Sequence, residues 1–123
     1  MTIPFRAITA LAYVQRMPVS IAFYETIGFR VANTFVPPAE TEPAWAWLES
    51  DSASLMISKA SEPVIAEQQA VLFYLYVDDV PAKHAELAAA GVTVSEITYP
   101  FYNARGEFRI TDPDGYVLMI THT

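Results

Sequence analysis

The sequence predicts an α+β fold built from two successive β-α-β-β-β modules, about residues 5–60 and 70–123, in one domain of 123 residues. Three observations carry this. A proline-opened, glycine-ended helical stretch occurs twice. Each is followed by strand-like runs joined by tight turns. Landmarks in the two halves keep one separation: Gly28 and Gly91, Val14 and Val77, Asp51 and Asp114, Leu55 and Leu118, and Ile57 and Ile120 are each 63 positions apart. A fixed period of this kind is the signature of an internal duplication.

The elements follow in order. Phe5 to Val14 is apolar and β-prone and reads as the first strand. Pro18 opens a helix whose apolar face includes Ile21, Ala22, Phe23 and Tyr24, and Gly28 ends it. Phe29 to Val36 resumes as a strand and stops at Pro37-Pro38, before an acidic loop over Ala39 to Pro43. Ala44 to Leu48 and Ala53 to Ser58 form a hairpin around Glu49 to Ser52. Lys59 to Gln69 is a linker with one helical turn after Pro63. The order then restarts. Val71 to Val77 is a strand, Pro81 opens a helix over Ala82 to Ala90, and Gly91 ends it. Val92 to Ile97 is a strand, Thr98 to Gly106 a loop, and Glu107 to Thr121 the last hairpin.

That last hairpin is the best-specified turn in the chain. In Asp112-Pro113-Asp114-Gly115, Pro113 presets φ, Asp112 bonds the backbone ahead of it, and Gly115 accepts positive φ. The pattern predicts a type I turn with a glycine bulge. Such a bulge pairs Asp112 with Tyr116 and turns Arg109 to the same side as Met119.

Composition narrows the function classes. Apolar residues make up 53% and charged residues 17%, which is globular rather than disordered. Apolar runs such as Val71 to Val77 are too short to span a membrane, and Met1 to Phe5 does not read as a signal peptide. No cysteine is present, which excludes disulfides and thiolate catalysis. A net charge of −7 disfavours nucleic acid, which wants clustered Lys and Arg. The expected location is the cytoplasm.

Three stretches together, Ser20-Ile-Ala-Phe-Tyr-Glu-Thr-Ile-Gly-Phe29, Tyr76-Val-Asp-Asp79 and Asp112-Pro-Asp-Gly-Tyr116, resemble the vicinal oxygen chelate superfamily over essentially the whole chain. That superfamily includes glyoxalase I, extradiol dioxygenases, fosfomycin-resistance enzymes and bleomycin-binding proteins. The resemblance implies curled mixed sheets enclosing a cleft, commonly completed by dimerisation, so a homodimer is expected. It also implies four strand positions that hold a divalent metal in catalytic members. Here these fall on Thr9, Met56, Leu72 and Met119, and the two pairs again lie 63 positions apart. Threonine, leucine and methionine do not suit Mg²⁺, Mn²⁺ or Fe²⁺, which take carboxylate or imidazole. His84, expected on the exposed or dimer side of its helix, and His122 have no partner at ligand spacing. The expectation is no metal and no cofactor.

The candidate site is then what lines the cleft. Alternation along strands places Met56, Tyr74, Tyr76, Arg109 and Met119 on the inward face, with Glu107 beside them. Trp45 and Trp47 share a face; they either wall the cleft or pack in the core, since Ala44, Ala46 and Leu48 make an alternative core face and the turn sets the register. Tyr74 matches the position where bleomycin-binding relatives place a stacking aromatic, against the alternative of a buried tyrosine bonded to backbone. Tyr102 and Arg105 lie in the loop before the last hairpin, at the cleft mouth or on a solvated turn. Arg109 and Glu107 are expected as an adjacent charge pair. Arg109 suits a carboxylate or phosphate, and Glu107 is the candidate general base; the alternative is a rim salt bridge.

Three functions follow. The first is a metal-free binding protein that sequesters an aromatic or amphipathic small molecule such as an antibiotic. The second is a metal-independent lyase or isomerase using Glu107 or Tyr76. The third is a scaffold or regulatory dimer with a vestigial cleft. No membrane or nucleic-acid partner is expected.

Overall fold

The structure is a computed structural model and describes residues 1–122. The chain divides into two compact units, Met1–Val64 and Ile65–Thr123.

The first unit runs β1 (Leu11–Val14), α1 (Met17–Ile27), β2 (Arg30–Phe35), β3 (Trp45–Ser50) and β4 (Ala53–Lys59). Its four-stranded sheet has the order β1-β4-β3-β2, with β1 parallel to β4 and the other pairs antiparallel. Pro18 sits in the first turn of α1, where no amide partner is lost. Gly28 ends the helix at φ 119°, and the Phe29 N–H donates to the Tyr24 carbonyl at 2.9 Å. That bond satisfies a carbonyl the last turn would leave open. Met17, Ser20, Tyr24 and Ile27 form the buried stripe of α1. On the sheet, the buried residues are Ala12, Val14, Ala46, Leu48, Leu55 and Ile57, which alternate along their strands. Burying each large apolar side chain contributes about 1.5–3 kcal/mol, so this single face dominates the unit's stability.

β1 is shorter than the expected Phe5 to Val14. Its ladder with β4 begins at Leu11↔Met56, and the last main-chain bond upstream is Met56 N–H to the Ala10 carbonyl. Apolar character alone does not make a strand; without a ladder partner, Ile3, Phe5 and Ile8 stay exposed.

In the second unit, a 3₁₀ turn at Ala66–Gln68 precedes β5 (Leu72–Tyr76), α2 (Val80–Ala89), β6 (Glu107–Thr111) and β7 (Val117–Thr121). The sheet order is β5-β7-β6, with β5 parallel and β6 antiparallel to β7. Asp79 caps α2 through its side chain, which accepts from the Ala82 N–H at 3.0 Å. Gly91 has φ 86°, and the Val92 N–H donates to the Leu87 carbonyl at 3.0 Å, repeating the first unit's helix ending 63 positions on.

The expected strand over Val92 to Ile97 is not formed. Ser95 donates its N–H to the Arg109 carbonyl at 3.1 Å, but the Arg109 N–H turns to the Ser95 hydroxyl at 2.9 Å. A side chain has replaced a main-chain carbonyl, so the ladder is interrupted until the isolated Thr98↔Glu107 bridge. The second module is therefore β-α-β-β with a bridged segment. His84 also departs from expectation. Its Nε2 lies 2.8 Å from the Ser95 carbonyl, and its ring packs edge-on against Phe108 at 4.9 Å. It sits on the inner stripe of α2 with Val80 and Leu87.

The last hairpin has the expected geometry. Gly115 N–H donates to the Asp112 carbonyl at 3.0 Å, Asp112 N–H to the Tyr116 carbonyl at 2.9 Å, and Gly115 has φ 91°. The buried Asp112 carboxylate accepts from the N–H groups of Asp114 and Tyr116, each at 2.9 Å. The matching turn of the first unit is tighter, with Ser50 paired to Ala53 and Asp51 at φ 51°. The two turns differ by one residue, so the separation between the units falls from 63 on the strand after the turn to 62 on the strand before it. The duplication has a gap that an unbroken period does not show.

Candidate functional site

Each sheet has one face turned to its helix and one open face, and the strand registers fix what stands on the open one. In the first unit, one row across the sheet is Leu11, Met56, Trp47 and Asn33. The next row is Tyr13, Ser58, Trp45 and Phe35. Trp45 and Trp47 therefore stand with Met56, while Ala46 and Leu48 are fully buried on the other side. The polar groups of this face compensate one another. Arg30 pairs with Glu49 at 2.6 Å, and the other oxygen of Glu49 accepts from the Trp47 indole N–H at 3.2 Å. That bond fixes the plane of the indole.

In the second unit, the central row is Tyr74, Met119 and Arg109, and the next is Tyr76, Thr121 and Glu107. Met119 is buried, whereas Tyr74 and Tyr76 are exposed. Glu107 is only 8% exposed and accepts from the Tyr102 hydroxyl at 2.9 Å. This bond to the carboxylate, more than any other cause, raises the Tyr102 pKa above the usual phenol range. The expected Glu107–Arg109 pair is not formed: the carboxylate is turned to Tyr102, and the Arg109 guanidinium has no ion pair among the described residues. Arg105 is turned to His122, with Nη1 3.2 Å from Nε2. Asn103 pins the loop by donating to the Gly106 carbonyl at 3.1 Å and to the Thr121 hydroxyl at 2.6 Å.

A family model described as the Glyoxalase/Bleomycin resistance protein/Dioxygenase superfamily matches residues 7–120. The chain belongs to this superfamily. Solved structures share the superfamily fold over nearly their full length. A bleomycin resistance determinant encoded on the transposon Tn5 has a TM-score of 0.79 at 15% identity, covering 97% of this chain and 98% of that one. A bleomycin-binding protein from bleomycin-producing Streptomyces verticillus, complexed with copper(II)-bleomycin, has a TM-score of 0.76 at 18% identity, covering 99% of each chain. TnmS3, an antibiotic binding protein from Streptomyces sp. CB03234, has a TM-score of 0.74 at 21% identity, covering 98% of each chain. At such identities the likeness establishes the fold. No curated protein matches the chain.

Within the glyoxalase/bleomycin resistance superfamily, a resident divalent metal is one expectation to test against the donors present. The positions implied for it are unsuited. Met56 and Met119 offer thioethers, Leu72 an alkyl chain, and Thr9, upstream of β1, a neutral hydroxyl. Among the described residues no three His, Cys, Asp or Glu side chains gather at metal-binding spacing. The residues do not fit the group.

Sequence reasoning missed Phe35 and Ser95. Phe35 was legible by alternation from Trp45 once β2 and β3 were paired. Ser95 was not, because its role depends on a side chain displacing a ladder bond.

Proposed function

We propose that this superfamily member is a metal-free binding protein that sequesters an aromatic or amphipathic small molecule, such as an antibiotic. The observation that carries the reading is the content of the open faces. Tyr13, Phe35, Trp45 and Trp47 flank Met56 on one sheet, and Tyr74 and Tyr76 flank Met119 on the other. Tyr13, Phe35, Tyr74 and Tyr76 are exposed and Trp45, Trp47 and Met56 half-buried; aromatic side chains in such number are costly to leave in water and suit flat apolar surfaces. Solved relatives of the same fold include bleomycin-binding and antibiotic-binding proteins, which supports the same use here. Trp45, Trp47, Met56, Tyr74, Tyr76, Tyr102, Arg105, Arg109 and Met119 are the proposed ligand-contacting residues, and a homodimer is the proposed assembly. Tryptophan quenching by bleomycin and other aromatic antibiotics tests this before and after chelation. Binding is expected to be unchanged by the chelator; a tenfold loss on metal removal, restored by a divalent ion, refutes it.

A second reading has one observation in its favour. The Tyr102 hydroxyl and the buried Glu107 carboxylate make a ready proton-transfer pair, as a metal-independent lyase or isomerase would need. Turnover that Glu107→Gln abolishes, with binding retained, would select it.

A further inference from the structure

Taken unit by unit, the charged groups on the open faces are not equally compensated. On the first unit's face, Arg30 and Glu49 neutralise each other. On the second unit's face, Glu107 is buried and its Oε1 is occupied by Tyr102. Arg109 differs. Its backbone is held on one side by Ser95 and on the other by pairing with Met119, yet its guanidinium is exposed and makes no hydrogen bond or ion pair among the described residues. Of the seven basic residues, Lys83 pairs with Glu86, Arg105 turns to His122, Arg6 and Arg16 lie outside the strands, and Lys59 ends β4. Arg109 is the uncompensated cation on an aromatic face, in one row with Met119 and Tyr74.

We propose that the sequestered ligand is anionic: a flat aromatic molecule whose carboxylate, sulfonate or acidic phenolate is received by Arg109 while its ring lies along Met119 and Tyr74. The inference rests on the sequestration reading and adds the ligand's charge. A guanidinium presents a planar fork of donors that matches a carboxylate and is weakly hydrated, so it gives up water at low cost. The chain's net charge of −7 does not cancel this. Exposed charges farther away than about 8 Å are screened at physiological ionic strength, whereas a direct contact is not. A cationic ligand would have to take Glu107 from both its burial and its tyrosine.

The test compares three probes with the same ring: naphthoate, neutral naphthamide and naphthylmethylammonium. Each is titrated calorimetrically against the full chain. Naphthoate is expected to bind on the order of tenfold more tightly than naphthamide, the size of one charge-assisted contact. Arg109→Gln is expected to bring the two within about twofold by weakening naphthoate. Equal binding of naphthoate and naphthamide, or preference for the ammonium, overturns the anionic assignment and leaves the sequestration reading standing. Binding of none of the three overturns both.

Discussion

Tyr102 donates to a carboxylate, and a phenol that ionises loses that bond. Because its folded pKa is raised, the contact's contribution is fully present below the unfolded phenol value of about 10 and is lost as pH rises through the higher folded value. Wild type is therefore expected to exceed Tyr102→Phe in denaturation midpoint near pH 8, with the gap closing above pH 10. A gap constant across that range would mean the hydrogen bond stabilises nothing. Other single residues show where reading the sequence succeeded and where it stopped. Alternation from Leu72 put Tyr74 and Tyr76 on one face of β5, and they stand in register with Met119 and Thr121. It left Trp45 and Trp47 open because their facing depends on how many residues the turn spends, a number the strand itself does not contain. Glu107 and Arg109 were expected to meet because they are two apart on one face. The partner is instead Tyr102, in the loop five residues before Glu107, whose hydroxyl holds the carboxylate.

At the scale of elements, the glycines that end helices and turns differ in what surrounds them. Gly91 has φ 86° and open space where a Cβ would go, so Gly91→Ala meets only backbone strain, about 1 kcal/mol. Gly115 has a similar φ of 91°, but an added Cβ would lie 2.3 Å from the Ala66 Cβ and 2.8 Å from its Cα. Gly115→Ala is expected to cost the same strain plus displacement of the Ala66–Gln68 turn, about 3 kcal/mol in all. Chemical denaturation of the two variants should separate them clearly; equal losses would mean the turn yields freely. Helices and hairpins were legible because caps and turn residues are local. The start of β1 and the missing strand over Val92 to Ile97 were not, because a strand is defined by its neighbour. Ser95 illustrates this: its hydroxyl, not its β-propensity, decides the ladder.

For the whole molecule, the duplication accounts for the plan and the departures from it account for the chemistry. The two units share their helix endings and their parallel strand pairs, Leu11↔Met56 corresponding to Tyr74↔Met119. What stands opposite the methionine has diverged completely, tryptophan in one unit and arginine in the other. That divergence depends on the single extra residue in the second turn. Side chains alternate strictly along a strand, so a one-residue change in the turn exchanges every inward residue for an outward one. Without the bulge at Gly115, β6 would aim Phe108 and Ile110 away from the core and drive Glu107 and Arg109 toward the inner stripe of α2, where burying a charge is costly. A variant lacking Gly115 is expected to lose the native register of the second unit's sheet, read as collapse of amide dispersion for β6 and β7. Dispersed, native-like resonances for β6 would show that the loop can absorb the deletion. The extra turn residue thus acts as a frame selector for the sheet: one residue at the rim decides whether the second unit presents a cation or a pair of hydrocarbons.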